Sequence, residues 1–546
     1  MRLLTYLRRE SALSPGPLIA MTLLGALSTL LVLGLVSFGA VDARNGTISF
    51  RAVLMFAVGL ALFALSQQWV MAAVAREAEE IIRRIRERLF EQVREADYRV
   101  VATVGRAAIH TALAQETQTL SRTVTLLAIA AQQVVTLVLV SLFLAWLSLP
   151  AFLIFVLFSA AVVAVDLRRS QATAETMEQA ALDERRVFEG LEHLLDGIKE
   201  VRINRLRASQ LVAEIARASD AARLTQSGAK QRWAVYFVLI QVMFYALIGV
   251  MVFVVPPFDS GFARIALEAT TIVLFMVGPI SAIAQAIPAV AETESALNRL
   301  LALEDRLRAA AARHEAEDSH RPEAVAPLET LSLNGIVYSH RDAAGWPGFT
   351  VGPLDLTLRA GEIVFITGGN GSGKSTLIHL LVGLLPPDRG TLSVNGRPVP
   401  VGERQAYRDR IAMVLSDFHL FRRLHGLGPV DPDRADALLR KYEIRDKVSL
   451  RDGCFSTIDL SGGQRKRLAL LAAELEDKPV LVLDEWAADQ DPGFRRKFYR
   501  EILPGLRRPD RIIVCVTHDD RYFDAGDRVL DMADGRFRAG PGGEVP

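Results

Sequence analysis

Apolar residues run in long, nearly unbroken stretches before residue 300 and in short ones after it. Six of the early stretches, approximately Pro17–Val41, Ala52–Ala75, Val124–Leu147, Leu149–Val165, Trp233–Val255 and Leu267–Ile287, come near the length of roughly 20 residues that a helix needs to cross a bilayer. One such run alone fits a buried core helix, but six in one half of a chain describe a membrane domain. The first is longer than the roughly 7–15 apolar residues of a cleavable signal core, so it is expected to remain as a span. Between spans 2 and 3 (Arg76–Thr123), and again between spans 4 and 5 (Asp166–Arg232), the pattern turns polar but keeps helical spacing, as in Glu80-Ile-Ile-Arg-Arg-Ile-Arg-Glu-Arg-Leu-Phe90. Folded as an out-and-back helix pair, each segment would project on the order of 35 Å from the membrane.

Charge supplies the direction. Nine arginines lie between Arg76 and Arg122, and twelve lysines and arginines between Arg168 and Arg232, against Arg44, Arg51 and Arg264 on the other side. Positive charge marks the cytosolic face, so both termini and both extensions are expected there, and Arg2, Arg8 and Arg9 agree. Over all 546 residues, 51% are hydrophobic and 23% charged, which excludes a disordered chain. A net charge of +1 gives no reason to expect nucleic acid as a partner. Cys454 and Cys515 sit far apart with no CxxC or Cys/His cluster, so neither a disulfide framework nor a zinc site is indicated. Residues 299–328 are charged and Ala-rich and carry Pro322 and Pro327, which reads as a helical exit and linker. The expected organisation is therefore a membrane domain over 1–298, a linker over 299–328 and a second domain over 329–546.

The second domain opens on chemistry. The apolar run Ile363-Val-Phe-Ile-Thr367 predicts a buried strand and leads into Gly368-Gly-Asn-Gly-Ser-Gly-Lys-Ser-Thr376, then into the helical Leu377–Leu385. Between a strand and a helix this is a P-loop: glycines let backbone N–H groups close around phosphate oxygens, Lys374 reaches the β- and γ-phosphates, and Ser375 places a hydroxyl on Mg²⁺. Gly368, Gly369, Asn370, Gly371, Ser372, Gly373, Lys374, Ser375 and Thr376 are thus expected to hold ATP. A second buried strand, Val480-Leu-Val-Leu-Asp-Glu485, ends in two acids. Beside a P-loop, Asp484 suits a magnesium-side role and Glu485 a general base or water-positioning role. A third strand, Ile512–Thr517, delivers His518, placed to contact the γ-phosphate.

Leu460-Ser-Gly-Gly-Gln-Arg-Lys-Arg467 precedes an apolar helical run a dozen or so residues before the paired acids. With this element the chain resembles the ABC transporter superfamily over nearly its whole length. The resemblance implies an all-α six-helix transmembrane domain of ABC exporter type followed by an α/β P-loop ATPase domain. It makes Leu460–Gln464 the signature motif, Glu485 the catalytic glutamate, Asp491 the end of the D-loop and His518 the switch histidine. A P-loop covers only one side of a nucleotide. Ser461 and the N–H groups of Gly462 and Gly463, with Gln464 behind them at a helix start, are suited to cover the other side from a second identical subunit.

Val414-Leu-Ser-Asp-Phe-His-Leu-Phe421, Asp484-Glu-Trp-Ala-Ala-Asp-Gln-Asp-Pro492 and Thr517-His-Asp-Asp-Arg-Tyr-Phe523 look like the cyclic-peptide and siderophore exporters of pyoverdine and syringomycin type, related to lasso-peptide exporters. That resemblance implies a homodimeric half-transporter of the bacterial inner membrane, carrying a peptide from cytosol to periplasm, with membrane lipid around it and periplasmic accessory proteins left open. A lipid flippase or broad drug exporter is the first alternative, and a non-transporting ATP-binding membrane sensor the second. Ser416 stands where the family has its Q-loop glutamine, and is expected to reach Mg²⁺ through a water unless Asp417 supplies the oxygen. Trp486 replaces the usual proline. For the aromatic that stacks on adenine, Tyr338 and His340 both lie near the expected place, and His340 fits the spacing better. Tyr98–Ile109 and Val187–Gly197 are the expected docking segments. In-span Gln67, Gln68, Gln132, Gln133, Gln241, Tyr245 and Gln285 are candidates for a translocation cavity or for helix–helix hydrogen bonds.

Overall fold

The computed structural model describes residues 2–44, 50–254, 262–315, 327–341, 346–400 and 403–538. Asn45, Val255, Ser260 and Pro322 lie outside them. Two compact units emerge: Met1–Phe90 with Ala107–Glu304, and Glu91–Arg106 with Asp305–Pro546.

The first unit is helical. Its elements are α1 (Arg2–Glu10), α2 (Pro15–Arg44) and α3 (Phe50–Glu95), then, beyond the short α4 (Tyr98–Val104) that groups with the second unit, α5 (Arg106–Thr111) and α6 (Thr117–Leu147). They continue as α7 (Leu149–Asp196), α8 (Ile198–Ile203), α9 (Arg205–Gly249) and α10 (Phe262–Glu315). Span and extension are one continuous helix in α3, α7 and α9, as expected of polar segments that keep helical spacing. Side-chain caps mark the reversals: Asp97 accepts from Arg99 N at 2.8 Å and Asn204 from Arg207 N at 3.0 Å. Among the described residues five helices are long and apolar enough to cross a membrane. The expected fourth span opens α7, but its apolar stretch is described only over Leu149–Ala161, and the side chains at 162–165 lie outside the described residues.

Large apolar side chains such as Leu65, Leu142, Trp146 and Phe253 stand exposed along these helices, a surface that lipid rather than water accommodates. The core between helices holds Leu33, Leu144, Phe155, Leu247, Ile272 and Met276. Beyond the spans, Arg88 of α3 donates to Glu304 of α10 at 3.0 Å, to Glu10 at 2.9 Å and to the Tyr6 hydroxyl at 2.9 Å, which ties α1 to the bundle. Arg299 pairs with the buried Glu116 through two hydrogen bonds of 2.6 and 3.0 Å.

The second unit is built on two sheets. An antiparallel one has the order β2-β1-β4-β5, from β1 (Thr330–Arg341), β2 (Pro347–Arg359), β4 (Arg389–Val394) and β5 (Arg397–Pro398). The other runs β12-β11-β3-β10-β9-β6 and comprises β3 (Ile363–Gly368), β6 (Ile411–Val414), β9 (Val480–Asp484), β10 (Ile512–Val516), β11 (Arg528–Ala533) and β12 (Arg536–Phe537). All its strands but β12 are parallel. Helices α11 (Lys374–Leu381), α12 (Arg404–Arg408), α13 (Pro432–Lys441), α14 (Gly462–Glu476), α15 (Pro492–Lys497) and α16 (Leu503–Gly505) and the hairpin of β7 (Leu450–Arg451) with β8 (Cys454–Phe455) complete it. The unbroken apolar runs of β3, β9 and β10 follow from burial of both faces: Phe365, Leu483 and Cys515 enter one core, while Val364, Val482 and Val514 enter the other.

Candidate functional site

In a parallel sheet, loops at the carboxyl ends of the strands face one crevice. Here β3 releases the P-loop, β9 releases Asp484 and Glu485, and β10 releases Thr517 and His518. Register brings them level: Val516 pairs with Asp484, Glu485 N donates to Val516 O at 3.1 Å, and Thr517 N donates to Ile366 O at 3.0 Å.

The P-loop needs two of its glycines for contact reasons. Gly368, with φ +144°, leaves the sheet so close to β11 that a Cβ would lie 2.1 Å from Met532 O. Gly373, with φ +102°, opens α11, and a Cβ there would lie 2.9 Å from Val351 Cγ2. Lys374 is 6% exposed, and its ammonium donates to the carbonyls of Gly368 at 2.9 Å and Gly369 at 3.0 Å. The Ser372 hydroxyl is buried in the same loop without a protein partner. A cationic cradle of N–H groups at a helix start, with an unpaired hydroxyl inside, fits the phosphates of a nucleotide.

Asp484 is buried, and burial pushes its carboxyl above the usual range, with neighbouring Glu485 adding to the rise and hydrogen bonds from Ser416 opposing it. Ser416 N donates to Asp484 Oδ2 at 3.4 Å, so the residue at the Q-loop position does face this acid. Ser375, in the first turn of α11, is exposed. No group of three or more His, Cys, Asp or Glu able to hold a metal occurs among the described residues. The set Ser375, Asp484 and Ser416 offers only oxygens, which suits Mg²⁺ arriving with phosphate ligands of its own.

Glu485 Oε1 and His518 Nε2 lie 3.3 Å apart, so the two residues assigned to the water and the γ-phosphate meet. Glu485 has a left-handed backbone, φ +48°. Trp486, at the family's proline position, is fully buried, packs on Phe498 with centroids 4.4 Å apart, and donates from Nε1 to Lys466 O at 2.8 Å. Behind the site Tyr499 donates to Asp519 at 3.0 Å and shares a 2.6 Å hydrogen bond with Thr517, and burial raises the Tyr499 hydroxyl well above its ordinary range.

Ser461 caps α14, and its N–H donates to Gln464 Oε1 at 3.3 Å, a capping box that leaves the N–H groups of Gly462 and Gly463 at the helix tip. No hydrogen bond or ion pair among the described residues joins Ser461–Gln464 to the P-loop. The signature is held instead by its own D-loop: Gln490 Nε2 donates to Gly463 O at 3.0 Å, and Arg467 bonds Gln490 at 2.9 Å and Asp491 at 2.8 Å.

The two candidate aromatics separate clearly. Tyr338 is 3% exposed and faces the core, with the Arg99 guanidinium of α4 over its ring at 5.0 Å. His340 is exposed and shares a 2.9 Å hydrogen bond with Thr376 of the P-loop helix. From the same α4, Tyr98 sets its ring 5.8 Å from His379 on α11. Burial lowers the imidazole of His379 below its ordinary range. Sequence reasoning did not single out Lys466 or His379. Of the in-span polar candidates, the structure joins Gln132 to Gln67 by a hydrogen bond, while Gln68, Tyr245 and Gln285 are exposed and Gln133 and Gln241 half-buried.

A helical unit with membrane-length spans, followed by a P-loop domain with strand-end acids, a strand-end histidine and a serine-capped glycine pair, defines a membrane protein with an ATP-binding cassette. Residues 351–488 match the ABC transporter family. The chain is 32% identical to the lipoprotein-releasing system ATP-binding protein LolD 2 of Chlorobaculum tepidum, over 40% of this chain and 96% of that one. It is 35% identical to the ATP-binding protein SyrD of Pseudomonas syringae pv. syringae over 65% of this chain, and spans 64% of that relative's length. A solved bacterial Atm1-family ABC exporter with ATP bound is similar over 97% of this chain and 95% of its own, with TM-score 0.78 and 18% identity, a likeness of fold. The chain belongs to the ABC transporter family.

Proposed function

We propose that this chain is one half of a homodimeric, ATP-driven exporter of the bacterial inner membrane, moving a peptide natural product, whether cyclic peptide, siderophore precursor or lasso peptide, from cytosol to periplasm. The observation that carries the ATPase reading is the meeting of Glu485 and His518, 3.3 Å apart, at the strand ends that also present the P-loop. Glu485 accepts a proton from the attacking water and His518 holds that water and the γ-phosphate. Lys374 turns its ammonium from the loop carbonyls to the β- and γ-phosphate oxygens. Ser375, Asp484 and Ser416 would hold Mg²⁺, which would supply neutralisation of charge on the transferring phosphoryl group. His340 takes the adenine face, and Tyr338 supports it from the core. Ser461 and the N–H groups of Gly462 and Gly463 complete the opposite subunit's site, since among the described residues of one chain nothing joins them to the P-loop, and the D-loop takes only the Gly463 carbonyl.

The peptide cargo rests on the motif strings of the ATPase half, which look like those of cyclic-peptide and siderophore exporters. In proteoliposomes with the cassette outside, ATP should drive uptake of a cyclic or lasso peptide, and that peptide should raise the ATPase rate. Stimulation by lipid or by assorted hydrophobic drugs instead would move the assignment to a flippase or drug exporter. A purified protein that binds ATP and never turns it over would be a sensor.

Orientation has its own check. Cysteines placed at Asn45 or Ser260 should react with a membrane-impermeant reagent outside intact cells, and cysteines at Arg94, Arg207 or Lys374 should not. Labelling of Arg207→Cys from outside would invert the topology.

A further inference from the structure

Lys466 is a buried cation that the reaction as described does not use. It lies on α14, 5% exposed, five residues after the signature serine. Its ammonium donates to the main-chain carbonyl of Glu485 at 2.8 Å and pairs with Asp489 at 2.8 Å. Its own carbonyl accepts the Trp486 indole N–H at 2.8 Å. Lys466 therefore grips the residue after the catalytic acid, the acid's own carbonyl and the start of the D-loop.

The grip falls on a strained point. Glu485 has φ +48° and ψ +36°, a conformation disfavoured for any residue with a Cβ, so it persists only where surroundings fix it. A proline at 486 would push residue 485 toward extended backbone. Tryptophan removes that restriction and supplies two anchors, an indole buried against Phe498 and an N–H bound to Lys466. The ammonium over the Glu485 carbonyl is a third.

We infer that Lys466 is a positioning residue for Glu485: with Trp486 it locks the left-handed backbone that aims the carboxylate at His518, and it ties that carboxylate to the helix whose tip serves the partner's nucleotide. This rests on the homodimeric ATPase reading above. Because α14 carries both the signature and the lysine, seating of the signature on the opposite nucleotide and alignment of Glu485 in its own site become one event.

The test compares Lys466→Met, Trp486→Phe, the double variant and Glu485→Gln in the full-length purified protein. Lys466→Met should lower kcat by roughly 10- to 100-fold, as loss of a charged hydrogen bond at a strained residue predicts. Affinity for a fluorescent ATP analogue should stay within about twofold, and so should the ATP-dependent disulfide yield between Ser461→Cys of one subunit and Ser372→Cys of the other. Trp486→Phe keeps the ring packing and should act through the same lock, so the double variant should fall little below Lys466→Met alone. A kcat within about twofold of wild type, or affinity and crosslinking that fall in step with kcat, would overturn the inference. If Glu485→Gln itself hydrolyses ATP at a near-normal rate, the catalytic reading fails instead, whatever Lys466→Met does.

Discussion

Glu485→Gln should retain ATP binding and lose roughly 10²- to 10⁴-fold in turnover, the usual contribution of a positioned general base. The substitution preserves size and the acceptor oxygen facing His518 Nε2 at 3.3 Å, so the geometry of the pair has little reason to change. What disappears is the capacity to take a proton, which matters in the transition state and not in the bound nucleotide. On the proposed reading affinity is held by the P-loop, where the Lys374 ammonium and the loop N–H groups act. The variant should therefore bind ATP, close as a dimer and stay closed, because the step that ends the closed state is slowed. Phosphate release with parallel retention of labelled ATP on a filter or column measures both halves. Near-normal phosphate release would remove Glu485 from the role of base.

The ATPase motifs were legible because each is local. A strand, a glycine-rich turn and a helix start are contiguous in Ile363–Leu381, and two acids at the end of an apolar strand are contiguous in Val480–Glu485. Their convergence follows from the parallel sheet, whose buried strands announce themselves as apolar runs. Between Tyr338 and His340 the spacing favoured His340, but the pattern of the strand did not decide it. They are two positions apart on one strand and share a face by its period, so alternation could not separate them. What separates them is where the core stops: Tyr338 is the last buried residue of β1, and His340 stands beyond it beside Thr376.

Contacts across long sequence distance were less visible still. Arg99 reaches Tyr338, and Glu91–Arg106 groups with the cassette although its flanking helices belong to the other unit. The sequence marked Tyr98–Ile109 for docking but could not name the aromatic residues it meets. Lys466 stands in Arg465-Lys-Arg467, where a solvated face is the ordinary expectation and nothing in the sequence sets one of the three apart. Only the fold shows that the middle one of the three turns inward to a main-chain carbonyl and a carboxylate.

Lys374→Ala should fail at the opposite step from Glu485→Gln. The buried ammonium now donates to two loop carbonyls, at 2.9 and 3.0 Å, and on the proposed reading the same protons go to phosphate oxygens when nucleotide is present. Hydrogen bonds to charged groups contribute about 1.5–3 kcal/mol each. Two of them lost would weaken ATP binding by roughly 10²- to 10⁴-fold at about 1.4 kcal/mol per decade. The helix N-terminus and the loop N–H groups remain, so weak binding survives and the loss is finite. A thermal shift reads it without any turnover: a ligand that binds only the folded state raises the melting temperature as its concentration exceeds Kd. Wild type and Glu485→Gln should both gain stability with millimolar ATP, whereas Lys374→Ala should gain almost none at the same concentration. Were Lys374→Ala to keep the full ATP-dependent shift while losing hydrolysis, the lysine would act on the transition state alone, and affinity would have to come from the loop N–H groups and the adenine contact proposed for His340.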